Sequence, residues 1–245
     1  MKHSAFIIKT FVLLLVMQMG TRVNAQCEKN NITSNEIIDH AWTAMFGQLK
    51  PVELQSIYFE SYFHGSKVPS KTTIKRPNHF RNEVASGVLV FDGKQAAWAK
   101  REPDKNGNPL NPEMIDTASW RHFEVDIALV FPAFFDYPSE FRGIVKLEKS
   151  NAYELYVELP LGGKVTYFID TESFLIVRRL VSWSGDPSEE LWENLIDNYV
   201  TYDGILFPDG YKYMGREGME KGYINNVRIN INPNDELFQI PAELK

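Results

Sequence analysis

The C-terminal half of the chain, from Gly143 onward, consists almost entirely of short segments rich in β-branched and aromatic residues. Turn signals separate these segments at Ser150-Asn151, Gly162-Gly163, Thr171-Glu172, Asp186-Pro187, Asp203-Gly204 and 215–218. Several short strands at regular spacing, with such breaks between them, are typical of an antiparallel sheet or barrel. We therefore expect this half to form one antiparallel β structure.

Similar segments occur in the N-terminal half, so the chain is predicted to be mainly β, of the α+β class. They read "SIYFESYFHG", "TTIKR", "HFRNEVAS" and "GVLVFDGKQAAWAKR", the last with a hairpin turn at Asp92-Gly93. Between the two halves, Pro112 to Phe141 begins with helical signals and is then broken by Pro132 and Pro138. We expect one or two short helices there, packed on the sheet.

One long helix is predicted near the N-terminus of the mature chain. Thr33 and Glu36 have the spacing of a capping box, in which each side chain accepts a hydrogen bond from the other's backbone amide. Apolar residues then recur at helical spacing up to a stop at Pro51. Trp42, Met45 and Phe46 lie on this apolar face. This helix is therefore expected to pack its wide apolar face on another part of the protein.

Residues 1–25 have the composition of a secretory signal peptide. Lys2 and Lys9 make a positive start, and an apolar stretch too short for a membrane-spanning helix follows. Cleavage is expected before Gln26, which leaves 26–245 as a single domain. Cys27 is the only cysteine, so no disulfide can form within the chain. Lipid attachment to Cys27 is not expected, because Gln26 and Asn24 stand where that processing needs small and aliphatic residues.

The sequence contains no recognisable catalytic or metal-binding motif, so neither an enzyme nor a cofactor or metal site is expected. The net charge is −6 and there is no long basic run, which argues against nucleic acid as a partner. The loop from Asp104 resembles a calcium loop, but Pro109 and Ile115 replace its glycine and its glutamate. The acidic cluster Asp186, Glu189, Glu190 and Glu193 is typical of a solvated turn.

Five segments together resemble the LolA-like periplasmic lipoprotein carriers and the related outer-membrane lipoprotein-sorting proteins. In chain order they are "IKRPNHFRNEV" (74–84), "FDGKQAAWAKREP" (91–103), "TYFIDTESFLIVRR" (166–179), "DNYVTYDGILFP" (197–208) and "INPNDELFQIP" (231–241). Their order and spacing match the family's over nearly the whole mature chain. The helical segment from Met114 to Phe141 matches poorly, and cargo specificity is expected to lie there.

The resemblance implies an unclosed, strongly curved antiparallel β half-barrel with helices packed across its open side. It also implies a hollow that binds the acyl chains of lipids or lipoproteins, for transfer between a membrane-bound donor and acceptor toward the outer membrane. Two other readings remain open. The same fold could act as a sensor or interaction module that binds partner proteins or mislocalised lipids, or as a hydrolase with dispersed acidic residues.

The resemblance also implies candidates for the lipid-binding site and its lid. Trp42, Met45 and Phe46 would belong to the lid, with ordinary core packing as the alternative for Trp42. Arg76 corresponds to the arginine that holds the carriers' helical lid through backbone groups, with an ordinary strand arginine as the alternative. Phe80 is expected near the mouth of the hollow and Trp98 in the lipid-binding site, with plain core packing as the alternative for both. Phe168, Phe174 and Ile176 are expected to face the hollow or the helices, and Arg178 and Arg179 to lie near its rim.

Overall fold

The computed structural model describes residues 32–62, 67–101, 111–182, 192–215 and 218–240. Within these ranges, residues from Thr33 onward belong to one compact unit. Several predictions concern residues outside the described ranges. They are the signal peptide at 1–25, the unmodified Cys27, the loop around Asp104, and the acidic residues Asp186, Glu189 and Glu190.

Fifteen strands are present among the described residues, and thirteen of them form one sheet. The strands are β1 (Ser56–Tyr62), β2 (Ser70–Lys75), β3 (His79–Val84), β4 (Gly87–Phe91), β5 (Ala96–Lys100), β6 (Glu113–Met114), β7 (Ser139–Lys146), β8 (Asn151–Glu158), β9 (Lys164–Asp170), β10 (Ile176–Ser182), β11 (Trp192–Leu195), β12 (Tyr199–Tyr202), β13 (Ile205–Pro208), β14 (Gly210–Gly215) and β15 (Gly218–Ile229).

The large sheet is antiparallel and is not closed into a barrel. Its order is β6-β5-β4-β3-β2-β1-β15-β14-β11-β10-β9-β8-β7, so the N-terminal and C-terminal strands meet where β1 pairs with β15. The strands β12 and β13 form a separate hairpin. Its turn at Asp203 and Gly204 has positive φ at both residues, the conformation that two-residue hairpin turns require. The predicted mainly β fold, with an open antiparallel sheet and helices, is confirmed.

Helix α1 (Ser34–Phe46) begins as predicted, with Thr33 and Glu36 forming both hydrogen bonds of the capping box. Its predicted end at Pro51 is wrong. The helix ends at Phe46 because Gly47 adopts a φ of 61°, a value that glycine reaches without a steric cost. Pro51 instead starts a 3-10 helix, Pro51–Glu53. Helix α1 packs against β7, β13 and a further 3-10 helix, Ala133–Phe135.

The segment from Pro112 to Phe141 contains the predicted short helices, but it is less helical than expected. A 3-10 turn (Thr117–Ser119) leads into helix α2 (Trp120–Val130), and the 3-10 helix Ala133–Phe135 follows. At its two ends the segment belongs to strands instead, because Glu113–Met114 pairs with β5 and Ser139–Phe141 pairs with β8.

One face of the large sheet packs against α2, and we call it the inner face. Phe91 on β4 lies with its ring 5.8 Å from that of Phe123 on α2, and the Tyr167 hydroxyl on β9 donates a hydrogen bond to the Ala128 carbonyl. Residues directly opposite each other on neighbouring strands share a face, and successive residues along a strand alternate. The pairing of the strands therefore assigns the other residues to the inner or the outer face.

Among the described residues, neither helix is long and apolar enough to cross a membrane.

Candidate functional site

A cavity of about 510 Å³ lies between the inner face of the sheet and helix α2. Its walls are mainly apolar and come from strands of both halves of the sheet, from α2 and from the β13 end of the small hairpin. The apolar lining includes Phe59, Phe80, Val125, Leu129, Phe207 and Ile224. Pockets that take one small ligand usually have volumes of about 300–1,000 Å³. This cavity is therefore large enough for a ligand.

One face of helix α2 forms a wall of the cavity. Val125, Leu129 and Val130 line the cavity at helical spacing, together with His122 and Asp126. Phe123 lies at the edge of this face, where its ring stacks on Phe80 and is tilted against Phe91 of the sheet. These aromatic contacts fix α2 on the sheet beside the cavity.

Two side chains of the sheet hold the C-terminal end of α2. The Tyr167 hydroxyl donates to the Ala128 carbonyl at 2.9 Å and accepts from the Ala133 amide at 2.9 Å. Arg179 Nη1 donates to the Leu129 carbonyl. The last carbonyls of a helix have no partner within it, and a cation near them is favoured by the helix dipole. Helix α2 has no basic residue in its own last turn, so the sheet supplies both partners.

Arg179 and Asn194 make a polar region in the wall of the cavity. They lie directly opposite each other on β10 and β11, and both line the cavity. Only 5% of Arg179 and 8% of Asn194 is exposed. Arg179 Nε and Asn194 Oδ1 are both buried without a hydrogen-bond partner. Burial lowers the pKa of the Arg179 guanidinium, but an arginine still keeps its proton at neutral pH.

Asp126 is the carboxylate of the cavity wall. Its side chain faces the hollow and is exposed within it. The surrounding walls of the cavity desolvate the carboxylate and raise its pKa to about 7. Burial also raises the pKa of the neighbouring Tyr211 hydroxyl to about 12, with a smaller contribution from the charge of Asp126.

The strands β1 to β3 contribute a neutral polar strip to the same wall. Asn82 donates hydrogen bonds to the hydroxyls of Ser70, at 2.6 Å, and Thr72, at 2.8 Å. These groups largely satisfy one another, so they can border an apolar ligand without needing a charge from it.

The sequence matches no protein-family model and no curated protein. Among solved structures, a LolA superfamily protein from Nitrosomonas europaea has a similar fold. The TM-score is 0.55 and the identity 13%, over 85% of this chain and 98% of that one. The protein has a LolA-like fold. An outer membrane lipoprotein-sorting protein domain from Vibrio parahaemolyticus, described as putative, overlaps less well, with a TM-score of 0.46, 13% identity, and coverage of 83% and 95%.

In this LolA-like fold, Arg76 lies between the two helical segments. Arg76 Nη1 donates to the carbonyls of Pro51, at 2.5 Å, and Leu54, at 3.1 Å, just after α1. Its Nη2 and Nε donate to the carboxylate of Asp136, just after the 3-10 helix that follows α2. The guanidinium also lies 4.4 Å from the centre of the Phe131 ring. Arg76 therefore binds backbone carbonyls of the 3-10 turn between α1 and β1, and a carboxylate beyond the 3-10 helix that follows α2.

Trp42, Met45 and Phe46 do not line the cavity. All three are buried. The rings of Trp42 and Phe46 pack with Phe131 and Phe135 at centroid distances of 4.8–6.4 Å. The Trp42 indole also donates to the Leu49 carbonyl. Trp42 and Phe46 thus join α1 to the end of α2, which for Trp42 corresponds to the core-packing alternative.

Of the remaining candidates, Phe80 lines the cavity and the others do not. Trp98 lies on the inner face, but its ring covers Gly87 at the β5 side of the sheet. Ile176 is fully buried and pairs with the inner-face residue Ile169. The expected inward orientation of Phe168 is wrong. It follows the inner-face residue Tyr167, so it lies on the outer face, where the Arg178 guanidinium is 5.0 Å from its ring centre.

Phe174 contacts α1 as expected, with its ring 4.5 Å from that of His40. The expected position of Arg179 near the rim is wrong, because it is buried in the cavity wall. The sequence analysis also did not single out Asp126 or Asn194. For Arg179 the sequence did contain a signal. The alternation within β10 places it on the same face as the apolar residue Val181.

No group of three or more histidine, cysteine, aspartate or glutamate side chains suited to a metal ion occurs within the part of the chain that the structure describes.

Proposed function

We propose that the protein is a periplasmic carrier that binds acyl chains of lipids or lipoproteins in the cavity between the sheet and α2. The observation that carries this proposal is the cavity itself: about 510 Å³ with mainly apolar walls, inside a LolA-like fold. A well-packed core of this size would ordinarily leave few voids larger than a water molecule. A hollow this large and this apolar suits an apolar ligand.

The physical need for such a carrier comes from the cost of exposing an acyl chain to water. Each methylene removed from water contributes about 0.8 kcal/mol, so a long chain does not leave a membrane readily without a protein that shields it. The lining residues Phe59, Phe80, Phe207 and Ile224 provide this shield. Binding and release of the chain break no covalent bond, so the proposal includes no catalytic step.

A carrier must also release its cargo, and in this proposal Arg76 controls the release. Its polar contacts join the segment after α1 to Asp136, which follows the α2 segment. Loss of these contacts would loosen the ends of both helical segments while the aromatic contacts of α2 with the sheet remain. We assign Arg76 the role of a latch on these segments.

The predicted signal peptide at 1–25 supports export to the periplasm. Delivery toward the outer membrane would then require a membrane-bound donor and a membrane-bound acceptor as partners. The net charge of −6 gives no support for nucleic acid as a further partner.

The test is native mass spectrometry of the full chain purified from the periplasm, followed by solvent extraction of the bound material. We expect acylated species at about one per chain, and the extract identifies the cargo. The opposite result is a ligand-free mass together with no uptake of a fluorescent acyl probe. That outcome would overturn the carrier proposal and favour a sensor or interaction module on the same fold.

A further inference from the structure

We propose that the cavity takes a single-chain amphiphile with an anionic head, and that Arg179 and Asn194 bind this head inside the cavity wall. This inference rests on the proposed function, since it names the class of acyl ligand. It also goes further, because it places the polar end of the ligand within the protein rather than in solvent.

Arg179 lies at the right place for this role and has a hydrogen-bond donor without a partner. It follows the outer-face residue Arg178, so its side chain points into the cavity. Nη1 is held by the Leu129 carbonyl at the end of α2, which fixes the guanidinium in place. Nε, by contrast, is buried and has no partner. A buried donor of this kind is costly unless something accepts its hydrogen bond.

Asn194 provides the second polar group at the same place. It lies directly opposite Arg179 on the neighbouring strand, lines the cavity, and has a buried Oδ1 without a partner. Both side chains line the cavity, so the NH₂ group of Asn194 and the guanidinium of Arg179 can together donate hydrogen bonds to one group with two acceptor oxygens.

The charge of the cavity favours an anion at this place. Arg179 is the one permanently charged cation among the described lining residues. None of the ion pairs between described residues involves Arg179. Asp126 is the carboxylate of the same cavity, but burial raises its pKa to about 7, so it is partly neutral near neutral pH. A buried cation without a counter-charge is unfavourable, and an anionic head would supply that charge.

The shared chemistry of the head is a pair of anionic oxygens, and two sources offer it. One is the carboxylate of a free fatty acid, and the other is the phosphate of a monoacyl phosphate. Acyl chains in ester or amide linkage bring no such charge. The proposal therefore expects free acids or phosphates to bind in preference to neutral chains of equal length.

The experiment measures displacement of a fluorescent acyl probe from the full chain by palmitic acid, hexadecyl phosphate and hexadecanol. We expect the acid or the phosphate to bind at least about tenfold more tightly than the alcohol, the size of effect that one charge-assisted contact supports. The head group with the lower Kd identifies the source of the anion.

Two variants and one control locate this preference. Arg179→Met removes the cation, so the acid and the alcohol should then bind alike. Asn194→Asp places a carboxylate beside Arg179, so the acid should weaken at least about tenfold while the alcohol is little changed. Arg178→Met removes the adjacent arginine of the outer face and should keep the preference. Asn194→Asp provides the test if Arg179→Met does not fold.

Equal binding of acid and alcohol to the natural protein would overturn the inference but leave acyl binding intact. A preference that survives in a folded Arg179→Met or in Asn194→Asp would overturn it as well. Failure of all three ligands to displace the probe, with no probe uptake at all, would instead contradict the proposed function.

Discussion

Tyr167 and Arg179 lie directly opposite each other on β9 and β10, and they donate hydrogen bonds to the consecutive carbonyls of Ala128 and Leu129. A single cross-strand pair thus holds the C-terminal end of α2, the helix that forms one wall of the cavity. The same Arg179 also borders the cavity. Helix position and cavity chemistry therefore depend on one pair of strands.

Replacing Tyr167 with phenylalanine should destabilise the protein by about 1–3 kcal/mol. The change leaves the Ala128 carbonyl and the Ala133 amide without their buried partner. Urea unfolding followed by circular dichroism measures the loss. Tyr156→Phe is the control, since Tyr156 lies on the outer face against Arg142 and should change stability by less than about 0.5 kcal/mol. Equal losses in both variants would contradict the role of Tyr167.

Arg76→Leu should speed the release of a bound acyl probe without unfolding the chain. The variant removes the hydrogen bonds to Pro51, Leu54 and Asp136. This loss destabilises the observed position of the two helical segments by about 1–3 kcal/mol. Stopped-flow measurement of probe dissociation gives the rate. Arg76→Lys should release at an intermediate rate, because lysine lacks the planar fork of donors.

The matched control for Arg76 is Arg81→Leu. Arg81 likewise combines a carboxylate, Glu83, with a backbone carbonyl, Leu237, but it lies on the outer face. We expect its loss to leave probe dissociation unchanged. A release rate for Arg76→Leu that matches the natural protein would count against the latch.

Leu129→Trp should weaken probe binding by at least about tenfold, because the larger ring occupies part of the 510 Å³ cavity. Fluorescence titration gives the Kd. Leu161→Trp adds the same volume at an exposed turn and should bind as the natural protein does. Unchanged binding in folded Leu129→Trp would mean that the ligand does not enter this cavity.

Asp126 should make the folded state less stable as the pH rises from about 4 to about 7. Its pKa is about 7 in the folded protein against an ordinary value of 3.8, so the folded state holds the proton more tightly than the unfolded state does. Stability therefore falls with rising pH over this window and levels off above it. Unfolding free energies measured between pH 4 and pH 8 give the slope.

In Asp126→Asn this part of the slope should disappear. Burial also raises the pKa of Glu124, which acts in the same direction and remains in the variant. The difference between the two slopes therefore reports Asp126. Identical slopes would contradict the raised pKa.

Trp42→Ala should lower stability by about 3–5 kcal/mol, the usual cost of truncating a buried tryptophan. Its effect on probe affinity should be small, because Trp42 does not line the cavity. Trp192 lines the cavity and is 42% exposed, so Trp192→Ala should show the reverse pattern. Denaturant unfolding and probe titration of both variants test this, and a large affinity loss in folded Trp42→Ala would restore the lid interpretation.

Features that depend on neighbours in the chain could be predicted from the sequence. The capping box of Thr33 and Glu36 needs only residues three positions apart. The hairpin at Asp92-Gly93 is also local, with the Asp92 carboxylate accepting hydrogen bonds from the amides of Lys94 and Gln95. The end of α1 differs from the prediction because Gly47 ends the helix four residues before Pro51.

The cavity residues were harder to predict because they depend on strand register. The pairing of β9 with β10 shifts between Ile176 and Arg178. This irregularity puts Ile176 and Arg179 on the inner face and Arg178 on the outer face. Phe168, which pairs with Arg178, therefore lies on the face opposite to that of Ile176. A one-residue change of register moves every later side chain to the other face.

The chain's own order of apolar, turn and capping residues set the strands, the hairpins and the start of α1, because these form from contacts within a few residues. Only the folded protein decided which of two adjacent arginines is buried. Arg179 acquires its role from the Leu129 carbonyl, fifty residues away, and from Asn194 across the sheet. Such contacts exist only after α2 packs on the sheet, since burial and charge at the cavity depend on all of its walls together.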